Sequence, residues 1–321
     1  MKRIIKAAVC IMLSACSFAP FATEVGNLSV DEPYQPDVTE TSVPTTEPPT
    51  EPPTERIINS YPVSSASAAA FMSIDSGDLY HSCNIDMPVA PASLTKLLTA
   101  STLLEYMSPD DTITVGTEIY MVQPGSSLCY LQEGQQLSVR DLLKGMLLSS
   151  GNDAAYTAAV NCARAVLPDE YQSDFDACQY FCSLMNDTAA EIGMTDSNFV
   201  NPDGWDDPQQ YTTVSDLLRL SQFALTFPII CDIASSVEDT VVLGFGETKT
   251  WQNSNRLLHP DNDFYCPDAI GLKTGSTIAA GYCLIAVFEN KGRRYLSVVT
   301  GCDSDEDRYI STLELYGTYA E

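Results

Sequence analysis

Runs that read as β-strands stand at both ends of the folded part of this chain, with a long helical stretch between them. "SAAAFMSIDSGDLYHSCN", residues 67–84, reads as two short strands around an Asp-Ser-Gly-Asp turn. "IGLKTGST", "AAGYCLIAVFEN" and "RRYLSVVTG", within residues 270–301, are apolar, β-branched and aromatic, divided by turns such as "ENKGRR". Residues 108–258 read mostly as helices. "LSVRDLLKGMLLSSGNDAAYTAAVNCARAV" holds two, broken at Ser149–Asp153. Ser138 can cap the first, with Asp141 three residues on, and Asn152 and Asp153 can cap the second. "EYQSDFDACQYFCSLMNDTAAEIGM" is a further amphipathic helix region, and "DRYISTLELYGTYA" closes the chain as a helix. Strand runs at both ends imply one antiparallel sheet flanked by helices and interrupted by an inserted helical subdomain, an α+β fold. A site between two such parts would form a cleft.

The first 59 residues are of another kind. Lys2, Arg3 and Lys6 precede "AAVCIML", an apolar core too short to cross a bilayer, as in an export signal. "LSAC", Leu13 to Cys16, resembles the lipobox of bacterial lipoproteins, where the cysteine is acylated and becomes the first residue. Ordinary cleavage after Ala22 is the alternative. Residues 17–55 then hold eight acidic side chains and no basic one, and "TTEPPTEPPTE" repeats Glu-Pro-Pro-Thr. Proline favours an extended form and like charges stiffen it, so at ~3 Å per residue the segment could reach on the order of 100 Å. It reads as a tether, with a processed pro-segment as the other reading. The expected division is a lipoprotein-type signal peptide over 1–16, an acidic Pro/Thr-rich linker over 17–59 and a globular domain over 60–321.

The chain carries 16 basic against 43 acidic residues, a formal charge of −27. Such a chain repels nucleic acid and anionic lipid, so neither is an expected partner. Eleven cysteines include Cys10 and Cys16 in the signal region, which leaves nine, an odd number for an exported chain. Most of these read as small buried apolar residues. A metal site is not expected, because the only histidines are His81 and His259 and no Cys-x-x-Cys occurs.

Three short motifs carry the chemistry. "PASLTKLLTA" places Ser93 and Lys96 one turn apart on one helix face, at the head of an apolar run. Held that close, a hydroxyl and an amine can be a nucleophile and its base; they can also be an N-cap and a solvated lysine. "SGN", Ser150-Gly151-Asn152, falls in the break between two helices, and "KTG", Lys273-Thr274-Gly275, begins an expected edge strand. Each alone is weak, a loop or a surface turn; in this order, each with fitting local structure, they point to one site.

With these motifs the sequence resembles the serine D-alanyl-D-alanine carboxypeptidases, the low-molecular-weight penicillin-binding proteins. The resemblance covers about residues 62–321 and extends through "LLKGMLLSSGNDAA", "NPDGW", "NSNRLL", "GLKTGSTIAAGYCLIA" and "RRYLSVVTG". It implies a β-lactamase/transpeptidase-like fold and an enzyme without cofactor. That enzyme would remove the terminal D-alanine from peptidoglycan stem peptides through an acyl-enzyme, with β-lactams as covalent inhibitors. By that resemblance Ser93 is the nucleophile and Lys96 its base. Lys96 would have to lose its proton well below the usual lysine range of about 10.4, helped by burial and by the like charge of Lys273. Ser150 would relay a proton to the leaving amine, and Asn152 would hold Lys96 and the substrate amide. The backbone N–H groups of Ser93 and Ser276 would form the oxyanion hole. Lys273 and Thr274 would bind the terminal carboxylate, with help from Arg308, and Gly275 would leave room for a peptide along the strand edge.

The departures are a small residue, Ser276, after Lys-Thr-Gly, and Asp203 in "NPDGW", to which the resemblance assigns no role. Many members continue past the catalytic domain with a β-rich domain and a membrane-binding amphipathic helix. This chain ends at Glu321, and a lipid on Cys16 would supply the anchor on the outer face of the cytoplasmic membrane. Three other activities fit parts of the pattern. A Ser-x-x-Lys β-lactamase usually has Ser-Asp-Asn as its middle motif and a deacylating glutamate, whereas the middle residue here is Gly151. A D,D-endopeptidase on peptidoglycan cross-links uses the same residues. A penicillin-sensing domain would deacylate slowly.

Overall fold

The computed structural model describes residues 63, 65–168, 170, 171 and 173–320. The signal, the lipobox with Cys16 and the acidic linker lie outside the described residues.

The strands from the two ends do meet in one sheet. β1 (Ala68–Ser73) and β2 (Leu79–Cys83) come from the N-terminal side, and β7 (Ala269–Thr277), β8 (Gly281–Asn290) and β9 (Arg293–Cys302) from the C-terminal side. Their order is β2-β1-β9-β8-β7, antiparallel throughout, with Ala68 opposite Thr300 and Ser73 opposite Tyr295 where the two ends join. Alternation along β1 explains its fully apolar reading. Ala69 and Phe71 face a core shared with Tyr295, Tyr309 and Leu315, under the C-terminal helix Asp305–Tyr319. Ala68, Ala70 and Met72 face the larger core of the helical part. A sheet covered on both faces has no polar face to expose, so its strands read as continuous apolar runs.

The inserted part holds α1 (Thr95–Tyr106), α2 (Val139–Leu147), α3 (Asn152–Val166), α4 (Asp174–Glu191), α5 (Val214–Ala224) and α6 (Pro228–Ser235). The helix at the end of the chain is α7. In α1 every residue from Thr95 to Leu103 is buried, Lys96 included. Ser138 caps α2 as expected, accepting from Asp141 N at 3.1 Å. The expected cap of α3 does not form: its N-cap is Gly151, and Asn152 is already the first helical residue. Asp153 turns outward from the helix end to accept from the backbone N–H of Cys129 and Leu131, both at 3.0 Å, and so ties down the 127–131 loop.

The stretch read as helical also contains two hairpins. β3 (Thr112–Thr114) pairs with β4 (Gln136–Ser138), and β5 (Glu238–Val242) with β6 (Thr248–Gln252). In each strand of the second pair a single side chain, Val241 or Trp251, is buried. Such short strands give no apolar period to read. The nine cysteines from Cys83 to Cys302 are free thiols, seven of them buried. Among the described residues no group of three or more His, Cys, Asp and Glu side chains could hold a metal ion.

Candidate active site

The nucleophile's position begins with a strained turn. Pro91 leads into a 3-10 turn, Ala92–Leu94, that runs directly into α1, and Ala92 takes a left-handed φ of 47°. Such a conformation costs a non-glycine residue on the order of 1–3 kcal/mol and persists only when its surroundings enforce it. Two glycines supply that enforcement. Gly204, at φ 88°, lies so close that an added Cβ would sit 1.8 Å from the Ala92 carbonyl oxygen. An added Cβ on Gly275 of β7 would sit 3.1 Å from Ser93 N. The turn is therefore clamped between "NPDGW" and the Lys-Thr-Gly strand: only glycine fits at 204, and a Cβ at 275 would crowd the turn.

Lys96 lies one turn on and is completely buried. Its Nζ has three oxygen partners: Ser93 Oγ at 2.9 Å, Asn152 Oδ1 at 2.8 Å and the Asp203 carbonyl at 2.6 Å. Three acceptors satisfy an ammonium. They serve a neutral amine equally well, because two N–H bonds can go to the carbonyl-type oxygens while the lone pair takes the Ser93 O–H. Burial lowers the pKa of Lys96 to about 8, and the charges of Asp203 and Asp153 act against that lowering. Like-charge repulsion, expected to fall on Lys96, instead marks Lys273. Burial, then Lys96 and Arg308, push Lys273 well below the usual lysine range.

Asp203 was missed as a site residue by sequence reasoning. The turn that carries it is braced by Asn201, whose Oδ1 accepts from Gly204 N at 2.9 Å, and by Thr99 of α1, which donates to the Pro202 carbonyl at 2.6 Å. Its carboxylate Oδ2 accepts from Asn152 Nδ2 at 2.6 Å. The only signal in the sequence was the Asn-Pro-Asp-Gly turn itself.

On the other wall, Lys273 is buried and donates to the Thr274 carbonyl at 3.0 Å. The Thr274 hydroxyl is 2.6 Å from Ser254 Oγ, a second residue that sequence reasoning did not single out although it lies in "NSNRLL". The backbone of Ser254 is held from both sides, its N–H by the Leu148 carbonyl and its C=O by the Tyr309 hydroxyl. Arg308 of α7 lies behind this wall. It donates to the Gly275 and Cys283 carbonyls at 3.2 and 3.3 Å and pairs with Asp305. Ser150 also takes a left-handed φ, 59°, and its buried hydroxyl makes no hydrogen bond among the described residues. A cavity of about 850 Å³ opens between the walls, lined by Ser93, Asn152, Asp203, Ser276 and Tyr282 among others. That is ample for a short peptide.

A Ser-x-x-Lys pair with its lysine buried, set between a five-stranded antiparallel sheet and a helical subdomain, defines a penicillin-binding, transpeptidase-like protein. Residues 56–304 match the family model described as D-alanyl-D-alanine carboxypeptidase, and the chain belongs to that family. It is 32% identical over 264 residues to the D-alanyl-D-alanine carboxypeptidase DacC of Escherichia coli, covering 79% of this chain and 61% of that protein. To DacF of Bacillus subtilis it is 28% identical, covering 76% and 59%. It thus spans about three fifths of the length of these relatives. Among solved structures it is similar to a variant of the Streptomyces K15 DD-transpeptidase, with a TM-score of 0.72 and 25% identity, covering 80% of this chain and 98% of that one. It is also similar to the ampicillin-bound penicillin-binding protein D2 of Listeria monocytogenes, with a TM-score of 0.63 and 30% identity, covering 78% and 96%.

Proposed function

We propose that this chain is an exported serine D,D-carboxypeptidase that removes the terminal D-alanine from peptidoglycan stem peptides. The observation that carries this reading is the buried Lys96 amine, 2.9 Å from Ser93 Oγ and fixed by two further acceptors. Lys96 takes the Ser93 proton as Oγ attacks the carbonyl carbon between the two D-alanines. The charge that develops on the carbonyl oxygen is met by the backbone N–H groups of Ser93 and Ser276. Ser150, whose hydroxyl is uncommitted, passes its proton to the departing D-alanine nitrogen as the C–N bond breaks and takes one in turn from Lys96, which is left neutral again. Lys273 and Thr274 hold the terminal carboxylate. Arg308 supports that wall through its carbonyl contacts and adds positive charge behind it. Water then attacks the ester, Lys96 again accepting a proton, and Ser93 is regenerated. A β-lactam acylates the same serine.

The test is mass spectrometry of the purified protein after penicillin, with D-alanine release from diacetylated Lys-D-Ala-D-Ala in parallel. One adduct on the Ser93 peptide together with release is the expected result. An adduct without release would replace this reading with a cross-link endopeptidase or a sensor, and no adduct on the folded protein would overturn it.

We further propose that acylated Cys16 tethers the domain to the outer face of the cytoplasmic membrane, with residues 17–59 as spacer. Several acyl chains hold a protein firmly where one does not. Cys16→Ser is expected to release the protein from membranes, and a variant that stays attached would refute the anchor.

A further inference from the structure

We propose that Asp203 is a positioning residue: its carboxylate locks the Asn152 amide with its oxygen toward Lys96, and its charge sets how readily Lys96 gives up its proton. The inference rests on reading Lys96 as the base for Ser93.

The lock follows from the donor and acceptor inventory. An ionised carboxylate only accepts, so the Asn152 NH2 must face Asp203 Oδ2, which it meets at 2.6 Å. The amide oxygen is thereby turned to Lys96, at 2.8 Å. Were the amide reversed, its NH2 would face Lys96 and compete with the Ser93 hydroxyl for the amine lone pair. Asp203 excludes that arrangement. Its other oxygen accepts from Trp205 N at 3.2 Å, so the carboxylate cannot swing away without losing a second partner. The clash that any side chain on Gly204 would make with Ala92 fixes the backbone beneath it.

The charge acts on Lys96 across Asn152. Asp203 is 1% exposed, so water screens it little; the same burial raises its own pKa, against which the Lys96 charge and the Trp205 N–H favour the ionised form. The titratable groups facing Lys96 come from every neighbouring element: Asp203 from the 201–205 turn, Asp153 from α3, Cys129 from the 127–131 loop and Lys273 from β7. Tyr156 of α3 faces Asp203 and, like Cys129, is held neutral by burial. Asp153 has its charge met by the backbone N–H groups of Cys129, Leu131 and Ala154. Asp203 is the carboxylate that acts most strongly on the Lys96 proton, favouring the ammonium against burial.

The experiment is the pH profile of kcat/KM for D-alanine release, and of penicillin acylation, in the full-length protein and in Asp203→Asn. The variant keeps the backbone carbonyl that Lys96 uses and loses the charge. Its acid limb is expected to move down by about one pH unit, the low end of what a neighbouring opposite charge does to a pKa. Its best rate is expected to fall several-fold as the amide loses its lock. A role in folding alone would lower the rate at every pH and leave the limb in place, which would overturn the proposal. Asp203→Ser, neutral and smaller, is read in the same way should the asparagine variant not fold, and Asp203→Glu is expected to keep the wild-type limb. A wild-type protein that neither releases D-alanine nor binds penicillin at any pH would instead overturn the function on which the proposal rests.

Discussion

Two lysines stand among the largest fully buried side chains, one on each wall of the cleft, and they are held differently. Lys96 is enclosed by the helical wall, with acceptors from the 3-10 turn before α1, from α3 and from the 201–205 turn at distances of 2.6 to 2.9 Å. Lys273 belongs to the strand wall and, among the described residues, makes one hydrogen bond, to the carbonyl of its own neighbour. A buried cation with few partners is costly, so it shifts toward the neutral form until an opposite charge arrives. In the reaction proposed above, the contrast separates a group prepared to move a proton from one prepared to receive an anion, with the helical wall given the chemistry and the strand wall the recognition of the substrate's end.

The sharpest way to break this division is Lys96→Met, which keeps the volume and removes the base. The acylation rate is expected to fall by about 10²–10⁴-fold with substrate binding kept, as read from single-turnover kinetics. A rise in KM alone would put Lys96 on the recognition side. A milder test is the pH dependence of the wild-type protein. Lys96 must be neutral to accept the Ser93 proton, so kcat/KM is expected to rise with pH through about 8. A flat profile across that value would mean that another group is the base. Lys273→Gln comes next. It is expected to raise KM for peptides ending in a free carboxylate by about 10–100-fold, the equivalent of one charged hydrogen bond, with kcat less affected. The same variant should discriminate less between that peptide and its C-terminal amide. The smallest effect belongs to Ser254→Ala. Its hydroxyl touches Thr274 and no reacting atom, so a several-fold rise in KM in the same direction is expected, for a neutral hydrogen bond of about 1 kcal/mol. An effect on kcat instead would move Ser254 to the other wall.

Much of this was legible in the sequence. The strands at both ends were readable because a sheet buried on two faces demands continuous apolar runs, as in "YCLIAVF" of β8. Ser138 announced its helix by a local cap. Asn152 misled for a physical reason: residues suited to capping are also suited to polar sites, and here its side chain goes to Lys96 and Asp203, leaving Gly151 as the cap. The β5–β6 hairpin was hidden because a strand with one buried side chain leaves almost no pattern.

The sequence by itself determined the parts whose physics is local. A spacing of three on a helix brings Ser93 and Lys96 together whatever surrounds them, and the sheet strands at both ends of the folded part follow from apolar runs and turns. Only the tertiary structure decided that Lys96 would be buried, with a lowered pKa that suits it to the base proposed above. Its burial, its bond to Asn152 across 56 residues and its bond to the Asp203 carbonyl across 107 exist because distant segments pack against one turn. Desolvation and the charges of neighbours set a pKa, and both depend on what the fold brings near rather than on what the chain places next in line.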